Sequence, residues 1–176
     1  MRKAPCSVLI VPEESDYEIS RILVATDFSE HSVNAMDVAA AFASAAGNAE
    51  IVCLHIYQVP IGYYETGKSY HEFADIMKKN AEKEYAHFIQ NIDTKGVTIR
   101  PIYKQSKKPV EAIKEVVKDE KIDLMSLGSR GRSASAAVLL GSITEHLICQ
   151  CEVPIVAVKK KGDGMHFIEA LLHLNI

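Results

Sequence analysis

From Ile19 onward the chain alternates short, β-branched apolar runs with helix-like segments, and no linker-like break interrupts them. That alternation constrains the fold more than any other feature. Antiparallel strands can be joined by a tight turn, whereas parallel strands need a crossover of a dozen or more residues, usually a helix. Residues 21–27 (RILVATD), 50–57 (EIVCLHIY), 97–103 (VTIRPIY), 122–127 (IDLMSL) and 153–158 (VPIVAV) read as five strands. Continuous apolar runs of this length suit a parallel sheet buried on both faces. Between the first two, Val33, Met36, Ala39, Ala40 and Ala43 recur at helical spacing, and Gly47-Asn48 supplies a stop. From residue 70 to about 92, Phe73, Ile76, Met77, Ala81, Tyr85, Phe88 and Ile92 form the apolar stripe of an amphipathic helix, ended by Gly96. Pro109 opens another helix at a favoured first-turn position, with Val110, Ile113, Val116 and Val117 facing inward. Residues 58–69 are looser and carry the turn formers Pro60, Gly62 and Gly67. The expected class is α/β, a mainly parallel sheet with helices on both faces.

A chain of 176 residues suffices for one such domain with a single core. Apolar residues make up 48% and charged residues 24%, with a net charge of −3. This is a globular composition without the low hydrophobicity of disordered chains. No basic stripe with interleaved aromatics is present, which argues against a nucleic-acid partner. Apolar runs such as residues 8–11 and 138–140 are far too short for a membrane-spanning helix. The first residues, MRKAPCSVLIVPEE, lack a signal-length apolar region, so the expected location is the cytoplasm. Cys53 sits in an apolar run and reads as a small buried hydrophobe. Cys6, Cys149 and Cys151 add no CxxC pair, and the seven histidines form no metal motif.

In open α/β sheets, ligands bind outside the carboxyl ends of the strands. Two features fall there. Asp27 follows the first strand; its other reading is a helix cap, because Asp27-Phe-Ser-Glu30 fits a capping box. After the fourth strand, Gly128 and Gly131 flank Ser129-Arg130, a turn whose N–H groups could hold an anion. Gly141 and Ser142 follow, and Ser142-Ile-Thr-Glu145 fits a second capping box, placing a helix N-terminus at Ser142. Free N–H groups and the positive dipole end there favour phosphate. There is no Walker GxxxxGK[ST], because Gly141-Ser142 lacks the lysine, and no GxGxxG follows the first strand. GxxG alone specifies little, and SxxE before apolar residues usually just starts a helix.

Gly128-x-x-Gly131, nine residues, then Gly141-Ser142 resembles the nucleotide-binding signature of the ATP-binding universal stress proteins. ILVATDFSEHS, LHIY and EVPIVAV resemble that family too, and the likeness runs from about Ser20 to Lys160. The resemblance implies an open five-stranded parallel sheet of order 3-2-1-4-5, adenine nucleotide alpha hydrolase-like, with ATP across the ends of the first and fourth strands. It implies that Ala25, Thr26 and Asp27 border the adenine, Ile56 packs on the base, and Leu127 and Gly128 approach the ribose. Gly131, Gly141, Ser142, Ile143 and Thr144 would surround the phosphates, mostly through backbone N–H, with Arg130 and Arg132 adding charge. Magnesium would be held chiefly by the phosphates, since the loop offers no carboxylate. Lys107-Lys108 stands where members of the family often have glycine. The alternatives to an ATP-binding stress-response module are a dimeric scaffold of the same fold that does not use ATP, or a slow ATP hydrolase. The pyrophosphatase loop SGGxDS is replaced by ATDFSEHS, and no nucleophile–base pair is evident although His31 and His146 could lie near the site, so efficient catalysis is not expected.

The ends extend past the family-like region. The expected organisation is an N-terminal extension with an added edge strand (1–18), the stress-protein domain (19–161) and a helical tail (162–176). KAPCSVLIVPEE resembles the closing CEVPIVAVKKK, as if this were a second domain retaining its predecessor's last strand. In the family, final strands commonly pair antiparallel across a dimer interface. Residues 7–11 are therefore expected to pair beside residues 154–158, within one chain or between the copies of a homodimer. In the tail, Phe167, Ile168, Leu171 and Leu172 form an apolar helical stripe, expected to pack.

Overall fold

The structure is a computed structural model that describes residues 6–13, 18–47, 49–94, 96–129, 141–150 and 152–159. Six strands, β1 (Val8–Ile10), β2 (Arg21–Thr26), β3 (Glu50–Tyr57), β4 (Ile99–Gln105), β5 (Leu124–Gly128) and β6 (Ile155–Val158), form one sheet of order β1-β6-β5-β2-β3-β4. The five strands β2 to β6 run parallel to one another, in the order expected for a sheet wound outward in both directions from β2. The sixth, β1, pairs antiparallel with β6, Val8 opposite Ala157, Leu9 opposite Val156 and Ile10 opposite Ile155. The added N-terminal strand therefore lies beside the closing strand of its own chain. Just before it, the Ser7 hydroxyl accepts from the Lys159 N–H at 3.4 Å.

Among the described residues four α-helices cover the sheet: α1 (Glu30–Ala45), α2 (Tyr70–Gln90), α3 (Pro109–Asp119) and α4 (Ser142–Gln150). Side chains alternate across each strand, so the sheet feeds two cores. Ile22 and Val24 of β2 join Ile51 and Cys53 of β3 in the core beneath α1 and α2. Leu23, Val52, Leu54, Met125 and Leu127 join Ile113, Val116 and Val117 of α3 and Leu147 of α4 in the other. Burial pushes the Cys53 thiol up to about 12, so it behaves as the small hydrophobe its context suggests.

Two capping boxes fall differently from their sequence match. Ser29, not Asp27, is the N-cap of α1, and its hydroxyl accepts from the Ser32 N–H. Phe28 adopts a left-handed φ of 61°, which moves the helix start two residues past Asp27. At α4, Ser142 is the first helical residue rather than the cap, and the Gly141 carbonyl accepts the first helical bond from the Glu145 N–H (2.9 Å). A true capping box forms instead at α2, between Ser69 and Glu72. The loose stretch before it contains one 3-10 turn, Tyr63–Thr66, bounded by Gly62 and Gly67 at positive φ. The expected tail helix lies outside the described residues.

Candidate functional site

The carboxyl ends of β2, β3 and β5 stand side by side: Ala25 is paired with Leu54 on one flank and Leu127 on the other. Because alternate residues share a face, Ala25, Ile56 and Leu127 all reach the core beneath α3 and α4. Leu127 is fully enclosed there, while Ala25 and Ile56 are half-buried at its rim. The rim is thus an apolar shelf open at the strand ends.

Thr26 and Asp27 turn the chain from β2 into α1. The Thr26 hydroxyl accepts from the Phe28 N–H at 2.9 Å. Asp27 Oδ1 accepts from the Ser29 N–H at 3.0 Å and from the Ser32 hydroxyl at 2.8 Å, while the Asp27 N–H donates to Ser32 Oγ. These bonds hold the carboxylate at a fixed point over the sheet end. His55 supports the turn from β3: its Nδ1 lies 2.9 Å from the Thr26 carbonyl, and its ring stacks on Phe28 with centroids 4.3 Å apart. Sequence pattern alone missed Phe28, His55, Ser29 and Ser32, because their roles follow from the positive φ at Phe28, and phenylalanine gives no signal of that.

Gly128 ends β5 between two helices. A Cβ there would lie 3.0 Å from the His31 carbonyl oxygen and 3.1 Å from His31 Cβ. The first turn of α1 thus comes close enough to explain this glycine without a ligand. On the opposite side, the Thr144 hydroxyl donates to the Gly128 carbonyl at 2.9 Å and is buried. The Gly141 N–H donates to the Ser129 carbonyl (2.7 Å), and the Ser129 N–H to the Val158 carbonyl (2.7 Å). Gly141 is thereby fastened beside the end of β5, with α4 starting immediately after it. Its N–H and the Thr144 hydroxyl proton are already engaged. The groups left for an anion are the first-turn N–H groups of Ser142, Ile143 and Thr144, which have no acceptor within the helix. Ser142 and Ile143 are exposed. Arg130, Gly131 and Arg132 lie outside the described residues.

His146 places Nδ1 2.7 Å from the Ser142 carbonyl, a contact inside α4. No cluster of three or more His, Cys, Asp or Glu that could hold a metal occurs among the described residues. Among those residues, no helix is long and apolar enough to cross a membrane.

A parallel sheet wound outward from β2, with a polar turn and a helix N-terminus meeting at its carboxyl ends, defines a doubly wound α/β protein of the kind that takes ligands there. The model of the universal stress protein family matches residues 18–159, and the chain belongs to that family. It is similar to universal stress protein MJ0577 of Methanocaldococcus jannaschii, 29% identical over 158 residues that span 81% of this chain and 96% of that protein. The solved structure of MJ0577 superposes with a TM-score of 0.70 at 26% identity, covering 82% of this chain and 99% of that one. A universal stress protein of Thermus aquaticus, from the QAH/OAS sulfhydrylase 3′ region, is 30% identical over 138 residues, 78% of this chain and 97% of its own. A universal stress protein solved in complex with cAMP shares the fold at a TM-score of 0.51 and 22% identity, covering 81% of this chain and 98% of its own.

Proposed function

We propose that this chain is an ATP-binding stress-response module of the cytoplasm, with the nucleotide across the carboxyl ends of β2 and β5. The observation that supports this best is the meeting of three features at one place: the apolar shelf of Ala25 and Ile56, the fixed Asp27 carboxylate, and the N-terminus of α4 fastened beside Gly128. The shelf suits the flat face of adenine. Asp27 would take a polar group of the nucleoside, and Thr26 would contact it through backbone. Leu127 and Gly128 would flank the ribose through backbone alone, since Leu127 turns its side chain into the core. Ser142, Ile143 and Thr144 would offer N–H groups to the phosphates, joined by Gly131 and Arg130 of the glycine signature, while Gly141, its own N–H engaged, would leave room for them. Magnesium, when bound, would neutralise phosphate charge; the phosphates would be its main ligands, because no group of three or more His, Cys, Asp or Glu that could hold it occurs among the described residues.

No base or nucleophile pair is assigned, and at most slow hydrolysis is expected. The competing reading is a dimeric scaffold of the same fold. In this chain β1 already occupies the outer side of β6, the edge through which the family resemblance implies that final strands would pair. A homodimer, or a pair with a second domain of the family, therefore forms through another surface or after β1 is displaced.

Nucleotide-free protein is the material for the test. ATP with magnesium at a hundredfold excess over its Kd should raise stability by about 2.7 kcal/mol, seen as a higher melting temperature. An unchanged melting temperature at millimolar ATP overturns the ATP reading and leaves the scaffold.

A further inference from the structure

Two buried side-chain polar atoms among the described residues have no hydrogen-bond partner, His31 Nδ1 and Asn34 Oδ1. Buried polar atoms are nearly always paired, so each such atom calls for a reason. These two stand three residues apart in α1, hence on one face of the helix. That face begins at the candidate site, since the His31 backbone and Cβ press on Gly128. The surrounding turn has no orphan of its own. Asp27, Ser29 and Ser32 satisfy one another, and Thr144 serves the Gly128 carbonyl from the far side. His31 Nδ1 is thus enclosed with nothing to bond, and a ligand would meet it once the ring turns toward the site.

We propose that His31 is a nucleotide-binding residue whose Nδ1–H donates to a phosphate oxygen at the Gly128 end of the site. The inference rests on the ATP reading and deepens it, because it adds a side-chain donor from α1 opposite the backbone donors of α4. A phosphate beside Gly128 would then be gripped from both helices that flank that glycine. Its negative charge also suits the first turn of α1, where the N–H groups of Glu30 and His31 have no acceptor within the helix. A partner of this kind turns an uncompensated buried nitrogen into a charge-assisted bond, which is stronger than a neutral one.

Calorimetric titration of nucleotide-free protein with ATP, AMP and adenosine tests it. His31→Ala should weaken ATP and AMP about tenfold, the scale of one hydrogen bond to a charged group, and leave adenosine unchanged. His31→Asn, which carries an amide N–H near the position of Nδ1, should recover most of the loss. Without ligand, His31→Ala should melt lower only by the packing lost with the ring, so affinities are compared at a temperature where every variant is folded. Equal ATP affinity in parent and His31→Ala overturns the role of His31 while the ATP site stands. An equal loss for adenosine overturns the phosphate contact. Failure of the parent itself to bind ATP removes the site and this inference together.

Discussion

Gly128 shows how one residue can serve packing and function at once. In sequence it reads as part of a phosphate loop; in the fold, its missing side chain is where the His31 backbone lies. Gly128→Ala should therefore destabilise the protein by about 1–3 kcal/mol in urea unfolding, the usual range for overpacking, even without nucleotide. An alanine variant as stable as the parent would mean that α1 yields easily. Phe28 poses the reverse problem, a large side chain on a left-handed backbone (φ 61°). Its ring stacks on His55 and meets Phe88 edge-on at 5.5 Å, and that packing offsets a conformational cost of about 1–2 kcal/mol. Phe28→Ala loses the packing and keeps the cost, whereas Phe28→Gly loses the packing and sheds it. The glycine variant should be the more stable of the two by about 1 kcal/mol in urea unfolding, opposite to their order inside a helix.

Among the elements, strands and helices were legible because their apolar periods are clean; the joints were not. The expected strand at residues 50–57 coincides with β3, and the helix expected to end near 92 ends at Gln90. Both caps that looked best on paper, at Asp27 and Ser142, are displaced, since a tertiary contact or a positive φ decides which residue starts the helix. The amino end of the sheet also holds a polar network that no motif announces. Arg100 on β4 reaches Glu50 on β3 at 2.9 Å and Glu120 after α3 at 2.7 Å, and Arg21 reaches Glu50 at 3.5 Å. Hydrogen bonding to Arg100 holds the Glu120 carboxyl below its ordinary value of 4.5. Its contribution is therefore full above pH 4.5 and fades as the pH falls through the lower folded value. Glu120→Gln should melt slightly below the parent at neutral pH, with the gap closing under acid. The gap stays small, because the Arg100 side chain is 40% exposed and water screens the pair. A gap that widens in acid would contradict the assignment.

For the whole molecule, residues alone argued a mainly parallel α/β sheet, and the strand order came from the family resemblance. The antiparallel place of the N-terminal strand came from its likeness to the closing strand together with that resemblance. The site was less legible. Its glycines mark where the chain must pass closely, but the sequence does not say whether a ligand or the protein's own helix is the close neighbour. The seam between β1 and β6 has a consequence in time as well as in space. It joins strands from the two ends of the described chain through only three residue pairs. Contacts so distant in sequence return little until the rest of the sheet has closed the intervening loop. Folding should therefore build β2, β3 and β5 first and leave the β6 edge bare until β1 arrives, and a bare edge is where chains recruit one another. Pulse-labelling during refolding should find the amides of residues 8–10 protected later than those of β2; simultaneous protection would exclude the interval. Through that interval the protein is a sheet with an open side, and protein concentration during refolding decides whether the closing strand comes from the same chain or from a neighbour.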